Sequence, residues 1–281
     1  MTLDDSWFSE PYDVTGSAFS LKIKAKLHNE QSEFQHIEIY ETETYGRLMV
    51  FDGCVMLTSL DNFIYHEMMT HTALQSHANP RDVLIIGGGD CGSLREVLKH
   101  DSVERCVQVD IDERVTRVTE KFFPELCDSN HDPRAELLFQ DGIKYVADCA
   151  AEQFDVVIID STDPVGQAAR LFSTEFYSDC QRITRSSGIL VAQSESPLKQ
   201  LALIKSMSAN MKSAGYLNTH TFEFPQSCYP TGWWSCTLAG NNNDLKTIRT
   251  LDTSVPTKYY TTDSHRGGLT MRPFMQAAID D

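Results

Sequence analysis

A glycine-rich turn between an apolar run and a helical segment is the feature that most constrains the fold. Residues 83–86 are all apolar, residues 87–89 are all glycine, and residues 94–98 carry leucine and valine at helical spacing. This order predicts a strand, a tight turn and a helix, which is how a doubly wound α/β sheet opens its ligand crevice. Glycine lets the backbone approach a ligand closely, and the free N–H groups at the start of the helix point into the same crevice.

The turn also matches the dinucleotide pattern G-x-G-x-x-G, and Asp110 lies near the expected position of the acidic partner. Asp90 follows the glycines directly, where a pyrophosphate would bring negative charge next to its carboxylate. A cationic ligand suits Asp90 better than a phosphate does. An NAD-dependent oxidoreductase is therefore an alternative that rests on the glycine pattern alone.

The hydrophobic patterns divide the chain into two predicted domains. Residues 1–60 predict an N-terminal β-strand domain, because apolar and polar residues alternate over 19–27 and 34–40. Residues 61–281 predict a Rossmann-like catalytic domain, which begins with a helix capped by Asp61 and continues as alternating strands and helices. We therefore predict an α/β fold in which a small β domain precedes a doubly wound sheet.

Charge and cysteine content limit the partners and the compartment. The formal net charge of −16, from 24 basic and 40 acidic residues, disfavours nucleic acid and favours a small cationic substrate. The eight cysteines show no Cys-x-x-Cys spacing, which predicts reduced thiols in a cytoplasmic protein and no zinc site. The start of the chain does not resemble a secretory signal, and no apolar run is long enough to cross a bilayer. We expect no membrane partner.

Acidic residues end four of the predicted strands: Asp90, Asp110, Asp141 and Asp160. Open α/β sheets bind their ligands at this edge, so the set predicts a site, although one such aspartate alone would indicate only a cap or turn. Asp110 is placed to accept hydrogen bonds from ribose hydroxyls, as in NAD enzymes and in methyltransferases.

The remaining acids indicate which of two sulfonium nucleosides the site would bind, the one used by a methyltransferase or one without a carboxylate. Asp90, Asp160 and Asp163 form a second predicted negative cluster. It would repel the carboxylate of S-adenosylmethionine, the substrate of a methyltransferase. A nucleoside with a cationic tail and no carboxylate would be attracted instead.

Several motifs of the chain resemble those of the spermidine synthases, the polyamine aminopropyltransferase family. They occur in the family's order and span most of the chain. The matching motifs are FDG at 51–53, FIYHEMMTH at 63–71, GGGD at 87–90, LRE at 94–96, DSTDP and the following glycine within 160–166, YPTG at 229–232, and the YY and HR pairs within 259–266. The resemblance implies a Rossmann-like, methyltransferase-type sheet after an N-terminal β domain.

The resemblance also implies a reaction and a set of site residues. The family transfers the aminopropyl group of decarboxylated S-adenosylmethionine to putrescine, giving spermidine and methylthioadenosine, with no metal and no permanently bound cofactor. By motif, Asp160 corresponds to the proton acceptor. The polyamine and aminopropyl contacts correspond to Tyr65, His66, Asp90, Asp163 and Tyr229. The nucleoside contacts correspond to Gln35, Gly87, Asp110, Asp141, Gly142 and Gln167. A homodimer is also expected.

Departures from the family pattern leave the acceptor amine open. Met56 stands where many members have glutamine, Gln167 replaces a common proline, and Asp110 is shorter than the usual glutamate. Cys91 replaces a glycine of the loop. Cadaverine, agmatine and spermidine are alternative acceptors to putrescine, and a non-catalytic polyamine-binding protein is the alternative from another class.

Overall fold

The chain forms two β-sheets, each from a continuous stretch of sequence. The structure is a computed structural model that describes residues 3–12, 16–163, 166–241, 245–249 and 255–280. The first sheet contains five antiparallel strands in the order of the chain. Its strands are β1 (Trp7–Tyr12), β2 (Ser17–Gln31), β3 (His36–Thr42), β4 (Arg47–Phe51) and β5 (Cys54–Thr58). The sequence pattern did not predict β1, which lies at the sheet edge, where its Pro11 is tolerated.

The second sheet has seven strands in the order β11-β12-β10-β9-β6-β7-β8. Its strands are β6 (Asp82–Gly87), β7 (Arg105–Asp110), β8 (Ala135–Phe139), β9 (Phe154–Asp160), β10 (Thr184–Gln193), β11 (Asn218–Pro225) and β12 (Trp233–Gly240). β6 to β10 pair in parallel, and β12 pairs antiparallel with both β10 and β11. The strand order reverses between β6 and β9, where an open α/β sheet forms its crevice. The predicted fold class is confirmed.

Eight α-helices are present in the described part of the chain. They are α1 (Asn62–Ser76), α2 (Gly92–Leu98), α3 (Glu113–Phe122), α4 (Gly142–Asp148), α5 (Thr174–Ile183), α6 (Leu201–Ser213), α7 (Thr262–Gly268) and α8 (Pro273–Asp280). None of these helices has the length and apolar character needed to cross a membrane. The sequence pattern predicted α1, α2, α3, α5 and α6, with ends that differ by up to three residues, and did not predict α4, α7 or α8.

Helices cover both faces of the second sheet, which explains its apolar strands. In β9, Val156 and Ile158 face one core, while Val157 and Ile159 face the other. α1 contributes to the first core and α5 to the second. Because parallel strands buried on both faces need apolar residues at successive positions, the run at 154–159 reads as continuously apolar.

Two predicted element starts need correction. The apolar pattern predicts that the fifth strand of the second sheet starts at Gly188. The strand β10 begins at Thr184 instead, because a register shift against β9 lies between Thr184 and Ile189 and interrupts the pattern. Asp61 stands at the N-cap position of α1, but the prediction that its side chain caps the helix is wrong. Its carboxylate instead accepts hydrogen bonds from Thr58 and Ser227.

A buried carboxylate anchors the end of the sheet that lies opposite the crevice. Asp155, near the start of β9, accepts hydrogen bonds from the backbone N–H groups of Arg81 and Asp82, each at 2.9 Å. It also pairs with the guanidinium of Arg185 at 2.8 Å. Although burial alone would raise it, these hydrogen bonds hold the pKa of Asp155 below its usual value. The charged form of Asp155 is therefore favoured in the folded protein.

We expect Asp155→Ala to lower the free energy of unfolding by about 2–4 kcal/mol, because two backbone donors would lose their acceptor and Arg185 would lose one of its two carboxylate partners. Urea unfolding followed by circular dichroism measures the change. The matched control is Asp179→Ala, which removes a half-exposed i,i+3 pair with Arg182 and should cost less than about 1 kcal/mol. Equal losses for the two variants would contradict this assignment.

Candidate active site

The glycine turn after β6 brings the ends of three strands close together. Gly87 has φ +83°, and a Cβ atom added there would lie 2.1 Å from the carbonyl oxygen of Asp160 at the end of β9. The N–H of Gly88 donates to that same carbonyl at 2.8 Å. A Cβ atom at Gly89 would lie 2.8 Å from a carboxylate oxygen of Asp110. Glycine at these positions therefore permits the close approach of β6, β7 and β9 at the crevice.

A cavity of about 480 Å³ lies above this turn. Nine of the residues predicted for the site line it: Gln35, Tyr65, Gly87, Asp90, Asp110, Asp141, Gly142, Asp160 and Tyr229. His66 is buried behind Asp90 and is not part of the lining. Asp163 lines a smaller adjoining cavity. Gln167 lies in the 3-10 helix Gly166–Phe172, but its side chain is outside the described part of the chain.

One end of the large cavity presents the Asp110 carboxylate. Its Oδ1 accepts the N–H of Asp112 at 2.8 Å. Burial and the neighbouring carboxylate of Asp112 raise the pKa of Asp110 to about 6. A carboxylate acceptor at the end of β7 suits a pair of ribose hydroxyls.

Asp112 and Asp141 both cap helices, a common role for a single aspartate that follows a strand. Asp112 caps α3 by accepting the N–H of Arg114, and its other oxygen accepts from Ser32 at 2.6 Å and from Gln35 at 3.0 Å. This set of bonds fixes the loop between β2 and β3 against the second sheet. Asp141 caps α4 by accepting the N–H groups of residues 143 and 144.

The middle of the cavity holds two partly buried carboxylates, Asp90 and Asp160. Asp160 accepts the Tyr65 hydroxyl at 2.7 Å on Oδ1 and the Ser93 hydroxyl at 2.6 Å on Oδ2. Burial and the negative charge of Asp90 raise the pKa of Asp160. Burial and the nearby Asp160 carboxylate also raise the pKa of Tyr65 well above its usual value, so Tyr65 remains a hydroxyl donor.

His66 partly balances the charge of Asp90. His66 Nε2 lies 3.2 Å from Asp90 Oδ2, and the N–H of Gly92 donates to Asp90 Oδ1 at 2.7 Å. Burial alone would raise the pKa of Asp90, but the nearby His66 outweighs this effect and the pKa is lowered. Burial alone would lower the pKa of His66, but the nearby Asp90 carboxylate outweighs this effect and the pKa is raised. Asp90 thus stays ionised beside Asp160, and the cavity keeps its negative charge.

A second cavity of about 50 Å³ adjoins the first and shares Met56, Tyr65 and Tyr229 with it. Its lining also includes Glu10, Cys54, Asp163, Gln193 and Trp234. Glu195 is buried, and burial together with the Asp163 carboxylate raises its pKa to about 9. Within the described residues, Glu195 Oε1, Gln193 Nε2 and Trp234 Nε1 have no hydrogen-bond partner. This cavity therefore gathers acids and unpartnered polar atoms around a small space.

The sequence analysis missed Glu10, Ser93 and Gln193. Ser93 could have been found, because the first turn of α2 must face the end of β9 in a doubly wound sheet. Glu10 lies on β1, which the pattern did not predict, and reaches the cavity because its carboxylate accepts the N–H of Val55 at 2.8 Å. No three described His, Cys, Asp or Glu side chains gather in a way that could hold a metal ion.

Comparison with known proteins agrees over nearly the whole chain. The family model described as the spermine/spermidine synthase domain matches residues 62–248, and the one described as the spermidine synthase tetramerisation domain matches residues 6–59. A polyamine aminopropyltransferase of Methylococcus capsulatus is 56% identical over 276 residues, which cover 97% of this chain and 96% of that protein. Another, of Thioalkalivibrio sulfidiphilus, is 56% identical over 283 residues and covers 99% of both.

Two solved structures are similar throughout. A spermidine synthase in complex with the transition-state analogue AdoDATO has a TM-score of 0.93 and 33% identity, covering 100% of this chain and 97% of that chain. The spermidine synthase of Thermotoga maritima has a TM-score of 0.90 and 33% identity, covering 98% and 94%. Both matches include the strands whose ends form the cavity.

We expect Asp110→Asn to raise the free energy of unfolding at pH 7 by on the order of 1 kcal/mol. The pKa of Asp110 is about 6 in the folded protein against a usual 3.8, so the charged form is less favourable in the folded state. The gain should be nearly complete above about pH 6 and should disappear as the pH falls below about 3, where the wild-type carboxyl is protonated in both states. Denaturant unfolding across this pH range measures it.

Asp112→Asn is the matched control for Asp110→Asn. Asp112 is buried and accepts hydrogen bonds from Ser32, Gln35 and the N–H of Arg114, so its variant should lose stability at pH 7. Destabilisation by Asp110→Asn at pH 7, or a gain that persists below about pH 3, would contradict the inferred pKa of Asp110.

Proposed function

We propose, from the membership of this chain in the spermine/spermidine synthase family, that it transfers the aminopropyl group of decarboxylated S-adenosylmethionine to putrescine. The chain is a polyamine aminopropyltransferase, and the proposal concerns its two substrates. The products would be spermidine and methylthioadenosine. The observation that carries the proposal is the pair of partly buried carboxylates, Asp90 and Asp160, in a cavity with room for a nucleoside.

The large cavity offers the contacts that an adenosyl group needs. In this proposal Asp110 accepts the ribose hydroxyls, and residues 141–142 lie beside the adenine. Gln35 and Gly87 line the same space. The spermidine synthase of similar fold was solved with AdoDATO, a transition-state analogue, which supports an adenosyl ligand for this cavity.

The charge of the cavity favours the decarboxylated form of the donor. The tail of S-adenosylmethionine carries a carboxylate, which Asp90 and Asp160 would repel at short range. Decarboxylation leaves a sulfonium and an ammonium, both cationic. The same two acids thus attract the proposed donor and argue against a methyltransferase reaction.

The adjoining small cavity suits one end of a diamine. Its acids lack a cationic partner among the described residues that line it, and an ammonium group would supply one. Asp163 is placed to hold that ammonium by a charge-assisted hydrogen bond. The volume of about 50 Å³ favours a short diamine such as putrescine over spermidine. Cadaverine and agmatine are the closest competing acceptors.

Asp160 is the proposed proton acceptor for the attacking amine. A protonated amine has no lone pair, so one ammonium of putrescine must transfer its proton before attack. The raised pKa of Asp160 makes it a stronger base than an ordinary aspartate, and Tyr65 and Ser93 hold its two oxygens in place.

The bond changes of the transfer need no catalytic group other than the proton acceptor. The neutral amine attacks the methylene carbon beside the sulfonium, and a C–N bond forms as the C–S bond breaks. The bonding pair stays on sulfur, so methylthioadenosine leaves as a neutral thioether and needs no general acid. Alignment of the nitrogen, carbon and sulfur atoms by the two cavities would supply much of the rate acceleration.

We also propose an oligomer that forms through the first sheet and acts in the cytoplasm. Residues 6–59 match a domain described by its role in tetramerisation, whereas the family resemblance suggested a dimer. All eight cysteines are free, in keeping with a reducing compartment. The mass of the native protein in solution distinguishes two subunits from four.

The direct test of the reaction is product analysis by mass spectrometry. The purified protein receives decarboxylated S-adenosylmethionine with equal amounts of putrescine, cadaverine, agmatine and spermidine. We expect methylthioadenosine and spermidine, with spermidine formed from putrescine as the dominant amine product. A different dominant product would overturn the acceptor assignment, and the absence of methylthioadenosine would overturn the donor assignment.

We expect Asp160→Asn to reduce kcat by about 10²- to 10⁴-fold, because the amine would lose its proton acceptor. The affinity for methylthioadenosine, measured by calorimetry, should change little, since Asp110 and residues 141–142 remain. Asp179→Asn, on the surface of α5, is the control, and its kcat should equal that of the wild type. Near-normal turnover by Asp160→Asn would remove Asp160 from the proposed role.

A further inference from the structure

Asp61 is a buried carboxylate outside both cavities that joins three separate segments of the chain. It is 4% exposed, and neither cavity includes it in its lining. Its Oδ1 accepts the Thr58 hydroxyl at 2.5 Å. Its Oδ2 accepts the Ser227 hydroxyl at 2.6 Å and the N–H of Cys228 at 3.1 Å. One side chain thus connects the end of β5, the start of α1 and the loop between β11 and β12.

Each connected segment carries a wall of the cleft in which the two cavities meet. Met56 lies two residues before Thr58 on β5, and Tyr229 directly follows Cys228. Tyr65 lies four residues after Asp61, about one helical turn along α1. Met56, Tyr65 and Tyr229 are common to the linings of both cavities.

The three walls also contact one another. The Tyr229 hydroxyl donates to the carbonyl oxygen of Met56 at 2.5 Å. The rings of Tyr65 and Tyr229 meet edge to face with centroids 5.9 Å apart. The Tyr65 hydroxyl in turn donates to Asp160. A displacement of the loop that carries Tyr229 would therefore change the width of the cleft and the support of Asp160.

The loop has its own internal structure but depends on Asp61 for its attachment to α1. The N–H of Gln226 donates to the carbonyl of Gly232 at 3.0 Å, which closes the loop on itself. The Gln226 side chain reaches the backbone carbonyl of Asp61 at 3.5 Å, and Ser227 and Cys228 reach its carboxylate. Loss of the carboxylate would therefore weaken the attachment of the loop to α1 while its internal hydrogen bond remains.

We propose that Asp61 is a positioning residue for the acceptor amine. Its carboxylate holds residues 226–232 against β5 and α1, and so sets the spacing of Met56, Tyr65 and Tyr229 around the diamine. The inference rests on the proposed function in one respect, namely that the acceptor lies between these three side chains. Asp61 acts through them and does not touch the substrate.

The test is steady-state kinetics of the full-length Asp61→Asn variant. Asparagine keeps the shape of aspartate, but its NH₂ group cannot accept the hydrogen bonds made on one side of the carboxylate. We expect the KM for the acceptor amine to rise about tenfold, the size of one lost charge-assisted hydrogen bond. The KM for the sulfonium donor should rise less than the acceptor KM, because the proposed nucleoside contacts, Asp110 and residues 141–142, are not attached to Asp61.

Two milder variants keep the test valid even if Asp61→Asn does not fold. Thr58→Val and Ser227→Ala each remove one hydroxyl donor to Asp61 and leave the carboxylate in place. Both should raise the acceptor KM by less than Asp61→Asn does, again with a smaller change in the donor KM. An unchanged acceptor KM in all the folded variants would overturn the proposal.

Glu67→Gln is the matched control on the same helix. Glu67 is buried, and its carboxylate accepts the N–H groups of residues 258–260, away from the cleft. We expect it to lower the melting temperature without raising the acceptor KM. A similar rise for Glu67→Gln, or equal rises in donor and acceptor KM for Asp61→Asn, would reduce Asp61 to a residue of general stability and overturn the proposal.

The amine used for these measurements is the one that the wild type converts fastest. If that amine is not putrescine, the proposed acceptor is wrong while the comparison of Asp61 variants still decides the positioning role. The two proposals therefore fail on different readouts, the identity of the product in one case and the acceptor KM in the other.

Discussion

The arrangement of the site depends on the repulsion between two neighbouring carboxylates, Asp90 and Asp160. Burial raises the pKa of Asp160, and the nearby charge of Asp90 adds to the effect. The protein offsets this unfavourable charge with His66 beside Asp90 and with the hydroxyls of Tyr65 and Ser93 on Asp160. These contacts leave a net negative charge at this edge of the sheet, which favours a cationic substrate.

Both sheets are needed to bring Asp90 and Asp160 together and to bury them. Asp90 and Asp160 lie together because Gly87 and Gly88 allow the backbone after β6 to touch the end of β9. The first sheet then covers the open side, with Met56 on β5 and Glu10 on β1 reaching the smaller cavity. Burial of acids in this cleft is thus a property of both sheets and not of the second sheet alone.

The sequence predicted those parts that follow from local pattern and from the geometry of parallel sheets. The glycine turn and the aspartates at strand ends predicted the crevice, since parallel strands present their carboxyl ends at one edge. Side chains brought in from distant segments could not be found this way. Glu10 lies on the unpredicted β1, and its part in the smaller cavity depends on the packing of the first sheet over the second.

Asp61 shows the limit of local rules more directly. Its position before α1 predicts a helix cap, but the hydroxyls of Thr58 and Ser227 are better placed donors in the folded protein. α1 itself is buried on nearly all sides, so its sequence shows little of the amphipathic pattern that would have indicated its orientation. The roles assigned by motif to all twelve site residues remain predictions, because they depend on a bound substrate.

The most direct test of the electrostatic account is the affinity of the amine-free protein for two nucleosides that differ by one carboxylate. Isothermal titration calorimetry would compare decarboxylated S-adenosylmethionine with S-adenosylmethionine. The account predicts at least about 100-fold tighter binding of the decarboxylated form, since a like charge placed against Asp90 and Asp160 costs several kcal/mol. Equal affinity, or tighter binding of S-adenosylmethionine, would contradict it.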